Sequence, residues 1–154
     1  MNDTRKRAAD FIAEYKKLKR EKEIVTDQMY GTAELYRELM CYEKNDKEQG
    51  MFDEYKMRLE RMLNKLNAQR GAIQLRMKLI ESIIGRLSDV ERLILRRYYI
   101  EGDSKGAADD LMEDLSYEKT HVYRLRDKAL DKVAEMMDSF PHEDYLHGKS
   151  CNQT

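Results

Sequence analysis

The sequence predicts an all-α protein: a long antiparallel helical hairpin of the coiled-coil kind over residues 1–86, followed by three short helices over 87–138. Three observations carry this expectation. Apolar residues recur at alternating steps of three and four through most of the chain, which is the period of one helix face and not of a strand. A single proline in 154 residues leaves long stretches free of helix breakers. Charged residues make up 38% of the chain and the mean hydropathy is −0.86, so much of the surface faces water and one large core is excluded. The regular apolar spacing, with ten tyrosines and ten methionines, argues for order despite that polarity.

From Asp3 to about Glu43 the apolar positions are Ala8, Phe11, Tyr15, Leu18, Val25, Met29, Tyr36 and Leu39, a heptad pattern with gaps at Lys22 and Thr32. The polar run ending in Gly50 breaks the period and predicts a turn near 44–51. Beyond it Phe52, Leu59, Leu66, Ile73, Ile80 and Leu87 repeat every seven residues, flanked by Tyr55, Met62, Leu63, Met77, Ile83 and Ile84. Two helices of similar length joined by a short connection pack antiparallel. Gly31 and Gly71 lie inside these helices, each costing about 1 kcal/mol relative to alanine, and are expected to mark bends or close helix contacts.

Ser88 followed by Glu91 has the spacing of a capping box, in which serine oxygen and glutamate satisfy free amides at a helix start. A helix carrying Leu93, Ile94, Leu95, Tyr98 and Tyr99 then runs to the stop signal Glu101-Gly102-Asp103. The next is expected from about Ser104, burying Ala108, Leu111, Met112 and Leu115. After Ser116-Tyr117 a last helix runs to about Asp138 with Val122, Leu125, Ala129, Leu130, Val133 and Met136 or Met137 inward. Residues 139–154 lack periodicity and are expected to form a flexible tail.

The net charge of −1 conceals an asymmetry: residues 1–86 carry 19 basic and 15 acidic side chains, residues 87–138 only 9 against 13. Cys41 and Cys151 have no disulfide or zinc spacing and are read as reduced thiols. His142, His147 and Cys151 in the tail have no recognised ligand spacing, so no metal or other cofactor is expected. Residues 1–17 contain no continuous apolar run, which predicts no membrane partner and a cytoplasmic protein. With no nucleophile–base set, phosphate-binding glycine loop or paired-histidine motif, an enzyme is not expected.

The segment Leu87-Ser88-x-x-Glu91-Arg92-x-Ile94-Leu95-x-x-x-Tyr99-x-Glu101-Gly102, followed by Val122-Tyr123-Arg124-Leu125-x-x-Lys128-Ala129-Leu130, resembles region four of the main bacterial sigma-factor family. It is more closely similar to prophage-encoded sigma-like regulators, some related to the ArpU and RinA groups, that carry a coiled-coil amino-terminal part. The resemblance covers about 50 residues and implies a helix-turn-helix domain whose last helix enters the major groove of double-stranded DNA. It puts base contacts at Lys119, Thr120, Tyr123 and Arg124, with His121, Arg126 and Lys128 placed for phosphates. The residues agree, since Val122 and Leu125 facing inward turn these polar groups outward.

Three departures stand out: Ser116 replaces the usual turn glycine, Glu118 the capping serine or threonine, and the helix before the turn is about three residues longer. Met112 therefore falls where a small alanine is usual, and altered packing is expected there. The implied function is a phage-type DNA-binding transcriptional regulator, with RNA polymerase as a possible partner. The hairpin is expected to form a homo-oligomer, because Phe52, Tyr55, Met62 and Met77 leave apolar area beyond one seam. The acidic run Asp109, Asp110, Glu113, Asp114 fits a rival reading: a coiled-coil factor that binds polymerase or a sigma factor without touching DNA. A small-terminase-like packaging component also combines long helices with a helix-turn-helix.

Overall fold

A computed structural model describes residues 1–42, 49–102 and 104–139. The described residues form five α-helices: α1 (Asp3–Met40), α2 (Gln49–Ile84), α3 (Asp89–Tyr99), α4 (Ala107–Leu115) and α5 (Lys119–Ser139). α1 and α2 are long and packed antiparallel, as the paired heptad patterns require, and three shorter helices follow. Of the expected turn near 44–51, residues 49–51 already belong to α2, and 43–48 lie outside the described residues, as does the tail beyond Ser139. No helix among the described residues is long and apolar enough to cross a membrane.

The chain divides into two compact units, and the division does not fall at the expected 86/87 boundary. One unit is Arg20–Gln74; the other joins Met1–Lys19 to the chain from Leu75 onward. Within Arg20–Gln74 the seam of the hairpin buries Val25, Thr32, Leu59 and Leu66. Thr32, a gap in the heptad pattern, is satisfied locally: its hydroxyl donates to the Gln28 carbonyl at 2.8 Å and lies 3.5 Å from the Met62 sulfur. Tyr36 donates to Glu60 at 3.1 Å, so the two helices are aligned with residue 32 opposite 62 and 36 opposite 60. A Cβ added at Gly31 or Gly71 would meet nothing within 4 Å, so of the two roles expected of these glycines neither serves a close contact within the chain.

In the other unit, Ala8, Phe11 and Ile12 of α1 and Ile80, Ile83 and Ile84 of α2 are buried together with the core of α3–α5. Arg76, itself buried, donates to both carboxylate oxygens of Glu14 at 3.2 and 2.9 Å, and its guanidinium carbon stands 5.0 Å from the Phe11 ring centroid. Tyr15 donates to Glu81 beside it. Met77, expected to offer free apolar area, is buried, because its position on α2 falls in this unit and not in Arg20–Gln74.

Ser88 and Glu91 close the capping box: the Glu91 amide donates to Ser88 Oγ at 3.3 Å and the Ser88 amide to Glu91 Oε1 at 3.1 Å. α4 starts at Ala107, later than Ser104, because Gly106 has φ 83°, a left-handed conformation that cannot continue a helix backwards. Ile94, Tyr98, Ala107, Ala108, Leu111 and Val122 form the core of the three short helices. Met112, Leu115 and Leu125 pack at its margin, half-buried; Ala108, one turn before Met112, supplies the small buried residue between α4 and its neighbours.

Candidate nucleic-acid interface

The turn before α5 is built on Ser116, the only described residue other than glycine with positive φ, at 56° with ψ 38°. A left-handed conformation at a helix end is what glycine supplies without strain; serine adopts it here at a cost of about 1 kcal/mol. The turn therefore keeps the geometry of the glycine that the sequence lacks. α5 begins at Lys119, and the Val122 amide donates to the Glu118 carbonyl at 3.1 Å.

Val122, Ala129, Leu130, Val133 and Ala134 are buried, and this decides how α5 faces water. Lys119, Thr120, Tyr123, Arg124 and Lys128 are exposed; His121 and Arg126 are half-buried. Thr120, Arg124 and Lys128 follow one another at i, i+4 and so lie along one stripe of the helix. The other four residues are engaged within the chain. Lys119 Nζ lies 3.5 Å from Asp109 on α4 and 6.0 Å from the Tyr123 ring, and Asp109 raises the Lys119 ammonium above the usual lysine value. His121 meets Tyr117 edge-on, ring centroids 4.7 Å apart.

Arg126, expected to meet phosphate, packs within the chain. Its guanidinium carbon is 5.3 Å from the Tyr98 ring and 5.1 Å from that of Tyr123, and it donates to Asp127 at 3.1 and 3.0 Å. Aromatic faces attract guanidinium, so these contacts hold the side chain against the helices. Tyr98 is buried, as expected for core, and burial pushes its hydroxyl above the ordinary tyrosine range.

The first turns of α1 lie against the later turns of α5, which no spacing in the sequence announces. Arg5 donates to both carboxylate oxygens of Asp131 at 2.8 and 3.0 Å and lies 3.5 Å from Asp127; Arg7 donates to Asp138 at 3.0 Å. Lys6, Ala9 and Asp10 border a cavity of about 430 Å³ together with Tyr99, Tyr123 and Arg126. Thr120, Arg124 and Lys128 do not line it and are exposed, and α1 meets the same face of α5 further along, at Asp127, Asp131 and Asp138.

No comparison with models of protein families, with curated proteins or with solved structures finds a match to this chain. The case for an interface therefore rests on geometry and charge. Residues 87–138 alone hold nine basic and thirteen acidic side chains, a poor match to phosphate. The segments 1–19 and 75–86 of the same compact unit add nine basic and four acidic ones, bringing it, counted to residue 138, to eighteen against seventeen. Arg5 and Asp131 are 126 residues apart, and no local pattern links them; the acidic excess of 87–138 was the one trace of a missing basic partner.

One turn beyond Lys128 on α5, Lys132 Nζ approaches both Glu91 oxygens, at 3.0 and 2.9 Å. Burial pushes the Glu91 carboxyl up, but the bonds from Lys132 and Ser88 together outweigh it and hold the group below its ordinary value. This ion pair ties the start of α3 to the middle of α5 and so fixes the angle at which the exposed stripe is presented.

Proposed function

We propose that this protein is a DNA-binding regulator of transcription, of the sigma-like, phage-associated kind, in which α5 enters the major groove of double-stranded DNA. One observation carries the reading: Thr120, Arg124 and Lys128 form an uncovered stripe on the helix that follows a tight left-handed turn in a three-helix unit. Arg124 is suited to guanine O6 and N7 and the Thr120 methyl to thymine, while Lys128 serves a phosphate. Tyr123 borders this stripe, and Lys119 joins it by exchanging Asp109 for a phosphate oxygen. Arg126 positions Tyr98 and Tyr123 and contacts no DNA in this reading.

Fluorescence anisotropy with duplexes from the DNA flanking its own gene tests the proposal. Full-length protein should bind with an affinity that falls as salt rises, and Lys128→Ala should lower the log–log slope by about 1. Arg124→Ala should weaken binding by about 1–3 kcal/mol on the preferred sequence and less on others. Absence of salt-dependent binding to any duplex rejects the reading.

A second reading, a factor that docks on RNA polymerase without DNA contact, draws on the four exposed carboxylates of α4, Asp109, Asp110, Glu113 and Asp114, which a phosphate backbone repels. Capture of core polymerase by the wild-type chain, lost on charge reversal at Asp110 and Glu113, would favour it.

A further inference from the structure

The unit Arg20–Gln74 displays more apolar surface than its own seam consumes. Ile24 and Leu35 of α1 and Tyr42, two residues past its end, are 57%, 47% and 59% exposed, and Met51, Tyr55 and Met62 of α2 are 76%, 47% and 51% exposed. At 3.6 residues per turn, Ile24 and Leu35 stand about a quarter turn from the buried Val25–Thr32 seam line, and Met51, Tyr55 and Met62 roughly a sixth of a turn from Leu59–Leu66. The Tyr42 amide donates to the Leu39 carbonyl at 3.1 Å, which carries the winding of α1 on to it. Both rotations run the same way round the antiparallel pair, so the six side chains share one face. The 3.5 Å contact of Thr32 with Met62 marks that side. Gly31 lies in the same stripe with no atom of its own chain near a Cβ, leaving a flat place. Together the six expose on the order of 700 Å², more than a lone soluble chain usually shows in one patch and close to the ~800 Å² per partner of a stable interface.

The rims of this face are oppositely charged. Outside the α1 stripe stand Asp27, Glu34 and Glu38; outside the α2 stripe stand Arg58, Arg61 and Lys65, all exposed. Arg58 is also bonded to Glu54 one turn away, at 2.8 Å. A hairpin with an acidic edge and a basic edge is complementary to itself in one orientation. When two faces meet about a twofold axis running along the helices, α1 of each copy lies over α2 of the other and acid meets base. About an axis across the helices, α1 lies on α1 and like charges meet.

The register agrees with the first orientation. Such an axis leaves positions along the hairpin unchanged, so the alignment of 32 with 62 and 36 with 60 within one copy holds between copies. Glu38 then stands opposite Arg58 and Glu34 opposite Arg61, with Asp27 within a turn of Lys65.

We propose that a second copy of this chain covers the face formed by Ile24, Leu35, Tyr42, Met51, Tyr55 and Met62, giving a twofold four-helix assembly in which α1 of each copy packs on α2 of the other. The inference is independent of the DNA-binding reading, since none of its residues lies on α5.

Sedimentation equilibrium of the full-length chain tests it, with helicity of every variant followed by circular dichroism. Wild type should be a dimer. The charge reversal Glu34→Arg with Glu38→Arg should raise the dissociation constant about 10- to 30-fold, because four rim pairs turn from attractive to repulsive. Arg58→Glu with Arg61→Glu should do the same, and all four substitutions in one chain should restore the dimer. These residues are exposed, so the fold is not expected to change. A wild-type chain that stays monomeric up to about 100 μM, far above useful affinities, overturns the proposal. So does association that either reversal leaves unaltered, which would mean a different face or the other axis.

Discussion

Replacing Ile12 by alanine should destabilise the three short helices α3–α5, although the residue lies in the first helix, more than a hundred positions before the proposed recognition residues. Ile12 is fully buried and belongs to the compact unit that holds α3, α4 and α5. The substitution removes three carbons, a transfer loss of about 2.4 kcal/mol at ~0.8 per methylene. A cavity left unfilled adds about 24 cal/mol per Å³, so a void of roughly 40 Å³ brings the total to about 3 kcal/mol. For a unit of about a hundred residues this corresponds to a fall in Tm of about 12–24 °C. The assay is urea unfolding, followed by the near-ultraviolet signal of the tyrosines and by hydrogen exchange at α5 amides. Both probes should lose the same free energy, because Ala8, Ile12, Ile84, Leu95 and Leu130 are all buried within one compact unit. If exchange on α5 changes by less than about 0.5 kcal/mol, residues 87–138 form a domain of their own and the reasoning fails.

Three further outcomes follow from the same contacts. Ser116→Gly relieves the left-handed strain at the turn and should stabilise the protein by about 0.5–1 kcal/mol in thermal unfolding, whereas Ser116→Val should destabilise it. Glu91 titrates below its ordinary value in the folded chain, so the unfolded state binds the proton more readily. Its contribution is therefore complete above the unfolded carboxylate pKa and lost as pH falls through the folded one; Glu91→Gln should flatten that acid limb and cost about 1–3 kcal/mol at pH 7, measured by urea titration across pH 2–7. Arg5→Ala exposes the charge of Asp127 and Asp131 and should weaken DNA binding by roughly 3- to 10-fold at low salt without touching DNA. Adding Asp131→Ala should recover most of that loss, and the two anisotropy titrations compare directly.

The exposed stripe of α5 was legible because helical period does the sorting: once Val122, Ala129 and Val133 are inward, Thr120, Arg124 and Lys128 must be outward. The roles of Lys119, His121 and Arg126 were not legible. Each carries a charge or ring that looks free in the sequence, yet Asp109, Tyr117 and Tyr98 hold them in the fold. Two of these partners lie a turn or more of chain away on other helices, where no spacing rule reaches.

What the chain determines by itself is local: the helical period of its long segments, the Ser88–Glu91 cap, and a left-handed turn that Ser116 keeps without glycine. These follow from interactions within about one helical turn, which residue order alone specifies. The allocation of α1 is tertiary. Its residues up to Lys19 belong with the three short helices and its remainder with the hairpin, and no break in composition marks the change. Burial of Ala8 and Ile12 and the pairing of Arg5 with Asp131 make that division, and both depend on groups brought together only when distant parts of the chain condense.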